Sequence, residues 1–506
     1  MKIFTNSEIR QIDQYTIENE GVTSLELIDR VARGVADEII ARWKATKPVV
    51  IFAGPGNNGA DALASGALLA EAGYKVHAYL FNIGGNKLSA ECMTCRDRYA
   101  QTPGVGLTEI IDSFIVPDFQ RNLLIIDGLF GSGLRDPLKG GFAYLVQRIN
   151  EANATVVSID IPSGLAADWN PALISRDVIH ATLTLAIQHP RLAFFIADNA
   201  DLVGEWKVLD IGLSRKAAGE IKSKFYLVED ADVYRALRRR SLFSSKADYG
   251  TALIYAGSYG MMGAAVMAAR GALRAGVGKV TIEAPKCGYP VIQSAVPEAL
   301  YSANQGEMYI DRMRPTHKYN AIAIGPGIGT NETTLRALEE LLLSAQSPVI
   351  LDADALNCIA MKPSMLNSLP MLSIITPHAG EFDRLFGHHT SMEARLRKAC
   401  EVARHYHILI VLKGHYTAII RPDGKIYFNS SGSPAMATPG SGDVLTGMLA
   451  AFMAQDYKAE IATLLAVFLH GLAGELAAEE HGEYGVTASD IADNVGCAIK
   501  AIMGPQ

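Results

Sequence analysis

The sequence predicts an α/β protein built as two successive domains, and three observations carry that reading. From about residue 48, short β-branched runs alternate with longer helical patterns, as in KPVVIFAG, DALASGALLAEAG and KVHAYLF, the pattern of parallel βαβ units. Around residues 213–249 the alternation lapses into a polar, basic stretch that includes RALRRRSLFSSKADYG, and it begins afresh at TALIYAG. A chain of 506 residues that is 49% hydrophobic can also fill two large cores. A boundary near residue 225 gives expected domains of 1–225 and 226–506.

Within the first domain, residues 7–43 read as helices in front of a doubly wound sheet. Its further strands are expected at NLLIIDG (122–128), ATVVSID (154–160), ATLTLAI (181–187) and around Trp206–Ile211. The run Arg238–Arg240 reads as a solvated linker helix. In the second domain TALIYAG, KVTIEAP, AIAIGPG, SPVILDADAL, LSIITPH and HILIVLKG supply strands. TAIIRPDGKIYFN reads as a hairpin turning at Pro422, Asp423 and Gly424. Helices from Gly442 to Met453 and from Glu460 to Glu480 close the pattern.

The net charge of -7, from 53 acidic and 46 basic residues, supplies no broad basic field for nucleic acid or a membrane surface. The N-terminal residues lack the apolar core of a signal peptide, and no apolar run long enough for a membrane span is read. A soluble cytoplasmic protein is therefore expected; a homo-oligomer is expected as well. The six cysteines are scattered, and the lone pair Cys92–Cys95 reads as two cysteines on a polar helix, not as a metal site.

The first strand of the N-terminal domain runs into Gly54-Pro-Gly-Asn-Asn-Gly-Ala-Asp61, a glycine-rich turn opening a helix. Open α/β sheets bind anions there, because a helix N-terminus presents unpaired N–H groups. Two further strand ends carry Asp127, in IIDGLFGSGLRDP, and Asp160, in SIDIPSGL. Adjacent strand ends would gather Asn58, Asp127 and Ser163 as hard oxygen ligands for an alkali or alkaline-earth cation. The alternative is that these are helix-capping groups at βα turns.

GPGNNGAD, DGLFGSGLRDP and IDIPSGL together resemble the motifs of NAD(P)H-hydrate epimerases over about residues 1–220, which implies a Rossmann-like three-layer α/β/α domain. The resemblance implies that Asn57, Asn58, Gly59, Ala60 and Asp61 contact the hydrated dinucleotide, with Gly131, Ser132, Gly133, Leu134, Arg135, Asp136 and Pro137. It further implies potassium held by Asn58, Asp127 and Ser163, and Asp160 beside the reacting ring as the proton-moving group. Ala60 and Ala62 stand where the family usually has glycine, each adding a methyl close to a phosphate-binding backbone.

The densest signal of the second domain is Ala437-Thr-Pro-Gly-Ser-Gly-Asp-Val-Leu-Thr-Gly447, a loop leading directly into an apolar helix. Its backbone donors suit a phosphate, and Asp443 in the first helical turn could accept a proton; an N-capping aspartate is the bland alternative. No G-x-x-x-x-G-K-[ST] occurs, which excludes a P-loop. The arrangement resembles the anion hole and base of ribokinase-like enzymes. With Gly257–Gly260, GPGIG (325–329), LDADALN (351–357), TPHAGEF (376–382) and LKGHYT (412–417), it resembles the ADP- or ATP-dependent NAD(P)H-hydrate dehydratases, implying a ribokinase-like α/β domain. That resemblance implies Ala264, Gly327, His378 and Asp443 on the hydrated nucleotide. It places Lys413, Gly414, His415, Tyr416, Thr417 and Gly442 on ADP, and Mg2+ with the phosphates. Pro439, where glycine is frequent, lacks one backbone donor. The pair His388–His389 reads as solvated surface.

The resemblances thus imply hydrated NADH and NADPH with ADP as the ligands: the R and S hydrates are epimerised by the first domain, and the S hydrate is dehydrated by the second to NAD(P)H, AMP and phosphate. The competing reading is a small-molecule kinase of the hydroxyethylthiazole-kinase type behind a non-catalytic nucleotide-binding module.

Overall fold

A computed structural model describes residues 1–504 except 118, 120, 121, 135, 171, 172 and 315–317. The chain divides into two compact units, Lys2–Lys224 and Phe225–Gln506.

The first unit holds a 7-stranded sheet in the order Gly106–Ile110, Val76–Phe81, Val49–Ala53, Leu124–Gly128, Thr155–Ile159, Leu183–Ile187 and Glu205–Leu209. Every neighbouring pair is parallel. Chain order reverses between Val49–Ala53 and Leu124–Gly128, so their loops diverge and leave a crevice at the carboxyl ends. Helices Ser24–Arg42 and Asn57–Glu71 pack on one face, each with buried residues on its inner stripe, and Gly140–Glu151 packs on the other. Helix Asn6–Asn19 begins in a capping box, Thr5 accepting from the Glu8 N–H while the Glu8 carboxylate accepts from that of Thr5. The strand Gly106–Ile110 has no sequence forecast: it is an edge, mostly half-buried, and lacks an apolar run.

The second unit carries a sheet ordered Phe225–Val228, Ile426–Asn429, Ala418–Ile420, Leu409–Leu412, Ile374–Ile375, Val349–Leu351, Ala321–Ile324, Thr251–Tyr255, Lys279–Ala284 and Leu300–Ala303. It is parallel except where the expected hairpin pairs Leu409–Leu412 with Ala418–Ile420 and the latter with Ile426–Asn429. Chain order reverses between Thr251–Tyr255 and Ala321–Ile324, which opens the corresponding crevice here.

Helix Ser441–Ala454 lies against helix Met262–Arg274 at close range. A Cβ added at Gly447 would fall 1.9 Å from the Ala268 carbonyl oxygen, and one at Gly271 would fall 2.3 Å from that of Val444. Both positions exclude any side chain. Helix Ala459–His481 is long and apolar enough to cross a membrane, contrary to the sequence reading, but 67% of its apolar window is buried in this unit.

Arg238–Arg240 is not helical. The preceding helix ends at Ala236, and the guanidiniums of Arg238 and Arg240 lie 4.3 Å and 3.9 Å from the ring centroids of Tyr457 and Tyr249. His389 departs from the surface reading too: it is 15% exposed, with Nδ1 3.2 Å from an Asp383 carboxylate that Arg395 also holds. Cys92 and Cys95 do share the helix Ala90–Gln101; burial pushes their thiols up to about 12 and about 11, so they pack as small apolar groups.

Candidate active sites

In the first unit the turn after Val49–Ala53 starts helix Asn57–Glu71, and glycine is required for its tightness. A Cβ at Gly59 would stand 1.9 Å from the Gly54 carbonyl oxygen, so the helix N-terminus seats directly on the strand end. In front lies a cavity of about 760 Å3, lined by Asn57, Asn58, Asp61, Gly131–Leu134, Asp136 and Asp160, with Asn6, Arg10, Asp13 and Arg191 from elsewhere in the unit.

Asp127 is fully buried and saturated. It accepts from the Ser158 hydroxyl at 2.8 Å, the Ser163 N–H at 2.8 Å, the Ser163 hydroxyl at 2.5 Å and the Leu129 N–H at 3.3 Å. Burial still holds its carboxyl above the usual range against these donors. The strands Leu124–Gly128 and Thr155–Ile159 therefore meet in a carboxylate–serine latch. Asn58 is different, because its Oδ1 and Nδ2 are both buried without a hydrogen-bond partner. An orphaned amide of this kind marks a place for a ligand or ion.

Asp160 has a left-handed backbone, φ +69°, and both of its oxygens are engaged. Oδ2 accepts from the Ser132 N–H at 2.8 Å, and Oδ1 accepts from Nε of Arg191 at 3.0 Å and from its Nη2. Asp160 thus ties the 131–133 loop to a buried arginine. A Cβ at Gly131 would come within 3.0 Å of Asp160 Oδ2 and 3.3 Å of Asn58 Cγ, so these three positions converge.

Two carboxylates complete the cavity. Burial, then the charges of Asp160 and Asp13, hold Asp61 well above its ordinary range, and its Oδ1 is unpartnered. Asp13, on helix Asn6–Asn19, is pushed up to about 6 by burial, with Arg191 opposing and Asp160 adding. Neither Asp13 nor Arg191 was flagged from sequence. Asp13 sits on a helix whose pattern reads only as amphipathic, and Arg191 follows a strand end, in HPRL, without a glycine turn to mark it.

Among the expected ligand contacts, Gly59 and Ala60 do not line the cavity. Ala60 and Ala62 are wholly buried in the core of this unit, and the Ala62 methyl faces Gly128, 2.4 Å from a Cβ built there. Pro137 lines an adjoining cleft of about 260 Å3 that shares Leu134 and Asp136 with the main cavity. Arg135 lies outside the described residues.

In the second unit, the loop before helix Ser441–Ala454 borders a cavity of about 930 Å3, lined also by His378, Lys413, Gly414, His415 and Thr417. Tyr416 is not in that lining; its ring sits edge-on to His415, 4.5 Å between centroids. Lys413 Nζ is 3.0 Å from Asp352 and 3.8 Å from Glu381, and a Cβ at Gly442 would lie 3.4 Å from that ammonium. Asp352, 2% exposed, also accepts from the Thr446 hydroxyl at 2.7 Å. Burial opposes its charge, but Lys413 and Thr446 outweigh that and hold it below the usual range. Asp352 ends a strand inside LDADALN yet carries no distinguishing neighbour in sequence.

Asp443 stands in the first turn, where burial and the like charge of Asp352 push its carboxyl up to about 7 against the pull of Lys413. A carboxylate so placed is basic enough to take a proton near neutrality. His470 is buried and held neutral, lowered to about 4 by burial and by Lys413, and its Nε2–H donates to the Ser441 carbonyl at 2.9 Å. It fixes the start of the glycine-rich helix. His378 is the N-cap of helix Ala379–Phe386, its Nδ1 accepting from Gly380 and Glu381 N–H groups, while its half-exposed ring borders the cavity. Ala264 and Gly327 meet at the other crevice, 3.1 Å separating the Ala264 Cβ from one built on Gly327, whose φ is +63°.

Two strand-end crevices, one with orphaned amide and carboxyl groups and one with a basic carboxylate at a glycine-rich helix N-terminus, define a two-site α/β enzyme for phosphate-bearing ligands. Residues 24–193 match the family described as YjeF-related protein N-terminus, and residues 252–496 match NAD(P)H-hydrate dehydratase. The chain is 33% identical to the bifunctional NAD(P)H-hydrate repair enzyme Nnr of Thermofilum pendens, covering 99% of this chain and 97% of that one. It is 32% identical to the enzyme of the same name from Moorella thermoacetica, over 97% and 96%. A crystal structure of the ADP/ATP-dependent NAD(P)H-hydrate dehydratase of Bacillus subtilis, co-crystallized with ATP/Mg2+, matches 55% of this chain and 98% of its own at 36% identity and TM-score 0.48. The chain belongs to the family of bifunctional NAD(P)H-hydrate repair enzymes.

Proposed function

We propose that the protein repairs hydrated NADH and NADPH by interconverting the R and S hydrates in the first unit and dehydrating the S hydrate in the second with ADP, giving NAD(P)H, AMP and phosphate. The observation that supports the second half best is Asp443, a carboxylate near neutrality beside a glycine-rich helix N-terminus.

The hydrate carries a hydroxyl on its ring, a poor leaving group until phosphorylated. Asp443 takes the hydroxyl proton as the oxygen attacks the terminal phosphate of ADP. The backbone N–H of Gly442 at the helix start and the Lys413 ammonium would offset the charge that accumulates on the transferred group. Mg2+ enters with the nucleotide as its complex. The ring nitrogen's electron pair then expels phosphate, and the adjacent carbon gives up a proton to solvent as the double bond reforms. A kinase would share the first step but leave a stable phosphate ester.

In the first unit the helix N-terminus at Asn57 and the 131–133 loop hold the dinucleotide, and Asp160 with Arg191 keeps that loop in place. The orphaned Asn58 carbonyl oxygen fits potassium; Asp127 and Ser163, already latched together, would share their remaining lone pairs with it. Bound there, potassium would supply a fixed positive charge beside the ligand.

Hydrated NADH incubated with Mg·ADP should regenerate the absorbance of the dihydronicotinamide. Asp443→Asn should slow that by ~100-fold or more while nucleotide binding persists. Turnover of the variant near the wild-type rate, or accumulation of a phosphorylated hydrate by the wild type, would overturn this reading.

A further inference from the structure

We infer that Asp13 is the proton-transferring group of the epimerase site, and that Asp160 is a positioning residue. The inference rests on the epimerase reading above. Four acidic side chains border the main cavity, Asp13, Asp61, Asp136 and Asp160, and they differ in what holds them.

Asp160 is spent on structure, since its oxygens accept from Ser132 and Arg191. Passing a proton through it would break its hydrogen bonds and release the arginine and the loop it anchors. Asp61 is buried near the start of its helix, where burial and then the like charges of Asp160 and Asp13 raise its carboxyl well above the ordinary range. Asp136 lies on the rim shared with the adjoining cleft. Asp136 is solvent-exposed there, whereas Asp13 is partly buried, lines the cavity and accepts no hydrogen bond from the described residues. The charged groups facing it are Arg10 on its own helix, Asp61 on helix Asn57–Glu71, and Asp160 with Arg191 on the strand-end loops. Burial, with Arg191 opposing and Asp160 adding, pushes its carboxyl up to about 6, so it can gain and lose a proton near neutrality.

The chemistry asks for one such group. The epimeric carbon bears both a hydroxyl and the ring nitrogen. Asp13 accepts the hydroxyl proton as that oxygen becomes a carbonyl and the carbon–nitrogen bond breaks. The electron pair goes to the ring nitrogen, which takes the same proton back from the Asp13 acid. Rotation about the adjoining carbon–carbon bond and the reverse sequence close the ring on the opposite face. Asp13 ends as it began, and no oxidant or co-reactant is consumed.

The test follows a mixture of R and S hydrates by chromatography with the full chain, subtracting spontaneous conversion at each pH. Wild type should epimerise with a rate that falls below about pH 6, where Asp13 becomes protonated. Asp13→Asn should lose ~100-fold or more of that rate and the pH dependence with it, and Asp13→Glu should recover part of both. Dehydration of purified S hydrate with Mg·ADP and the melting temperature should stay unchanged, which separates lost chemistry from lost folding. Asp160→Asn should raise KM and keep the acid limb of the profile. Epimerisation by Asp13→Asn within threefold of wild type, or loss of the acid limb in Asp160→Asn alone, would overturn the inference. A wild type no faster than the spontaneous reaction would instead overturn the epimerase reading.

Discussion

In the proposed mechanism Asp443 acts only as its carboxylate, so the dehydration rate should report the charges packed around it. With the group pushed up to about 7, the deprotonated fraction rises on the order of tenfold between pH 6 and pH 8, and the single-turnover rate should rise with it and level off above. Asp352→Asn removes the like charge that holds Asp443 up while keeping an acceptor for Thr446, so the midpoint should move down, by on the order of one unit. Lys413→Met removes the opposing cation, and the midpoint should move up. The assay premixes S hydrate with saturating Mg·ADP and records the returning dihydronicotinamide absorbance across pH. Opposite displacements in the two variants are the expected result. A flat wild-type profile, or displacement of both variants in one direction, would refute the assignment of Asp443 as the base.

At equal concentration ADP should support faster dehydration than ATP, checked by initial rates with each nucleotide; a clear preference for ATP would contradict the proposed products. Asn58→Leu fills the space of an orphaned amide with an apolar group, and epimerisation in that variant should become insensitive to replacing potassium with a large organic cation, whereas wild type should slow. Equal sensitivity in both would remove Asn58 from the ion site.

What could be read from sequence was whatever the backbone advertises. Gly54–Asp61 and Gly440–Asp443 announce themselves because a chain that turns this tightly into a helix excludes side chains at particular positions, as the 1.9 Å approach at Gly59 shows. Buried strands such as Leu124–Gly128 were visible as unbroken apolar runs, whereas the edges Gly106–Ile110 and Leu300–Ala303, half-covered, carry no such run. Asp13, Arg191 and Asp352 stayed hidden for a different reason. Each acquires its character from a partner remote in the chain: Asp352 from Lys413, Arg191 from Asp160, and Asp13 from the walls around it. Nor could sequence tell that Asp127 and Ser163 hold each other, or that the Ala62 methyl faces Gly128.

The contact between the helices Ser441–Ala454 and Met262–Arg274 bears on how this protein can vary. Since the Gly447 and Gly271 backbones rest on the opposing main chain, the phosphate-facing end of the first helix is aimed before any nucleotide arrives and needs no ordering on binding. That end is therefore a lever with its fulcrum in the core: one added carbon at Gly447, remote from every ligand, should tilt the anion-binding amides off their target. The space for that lever is set by two hydrogen atoms, one on each glycine at the helix crossing.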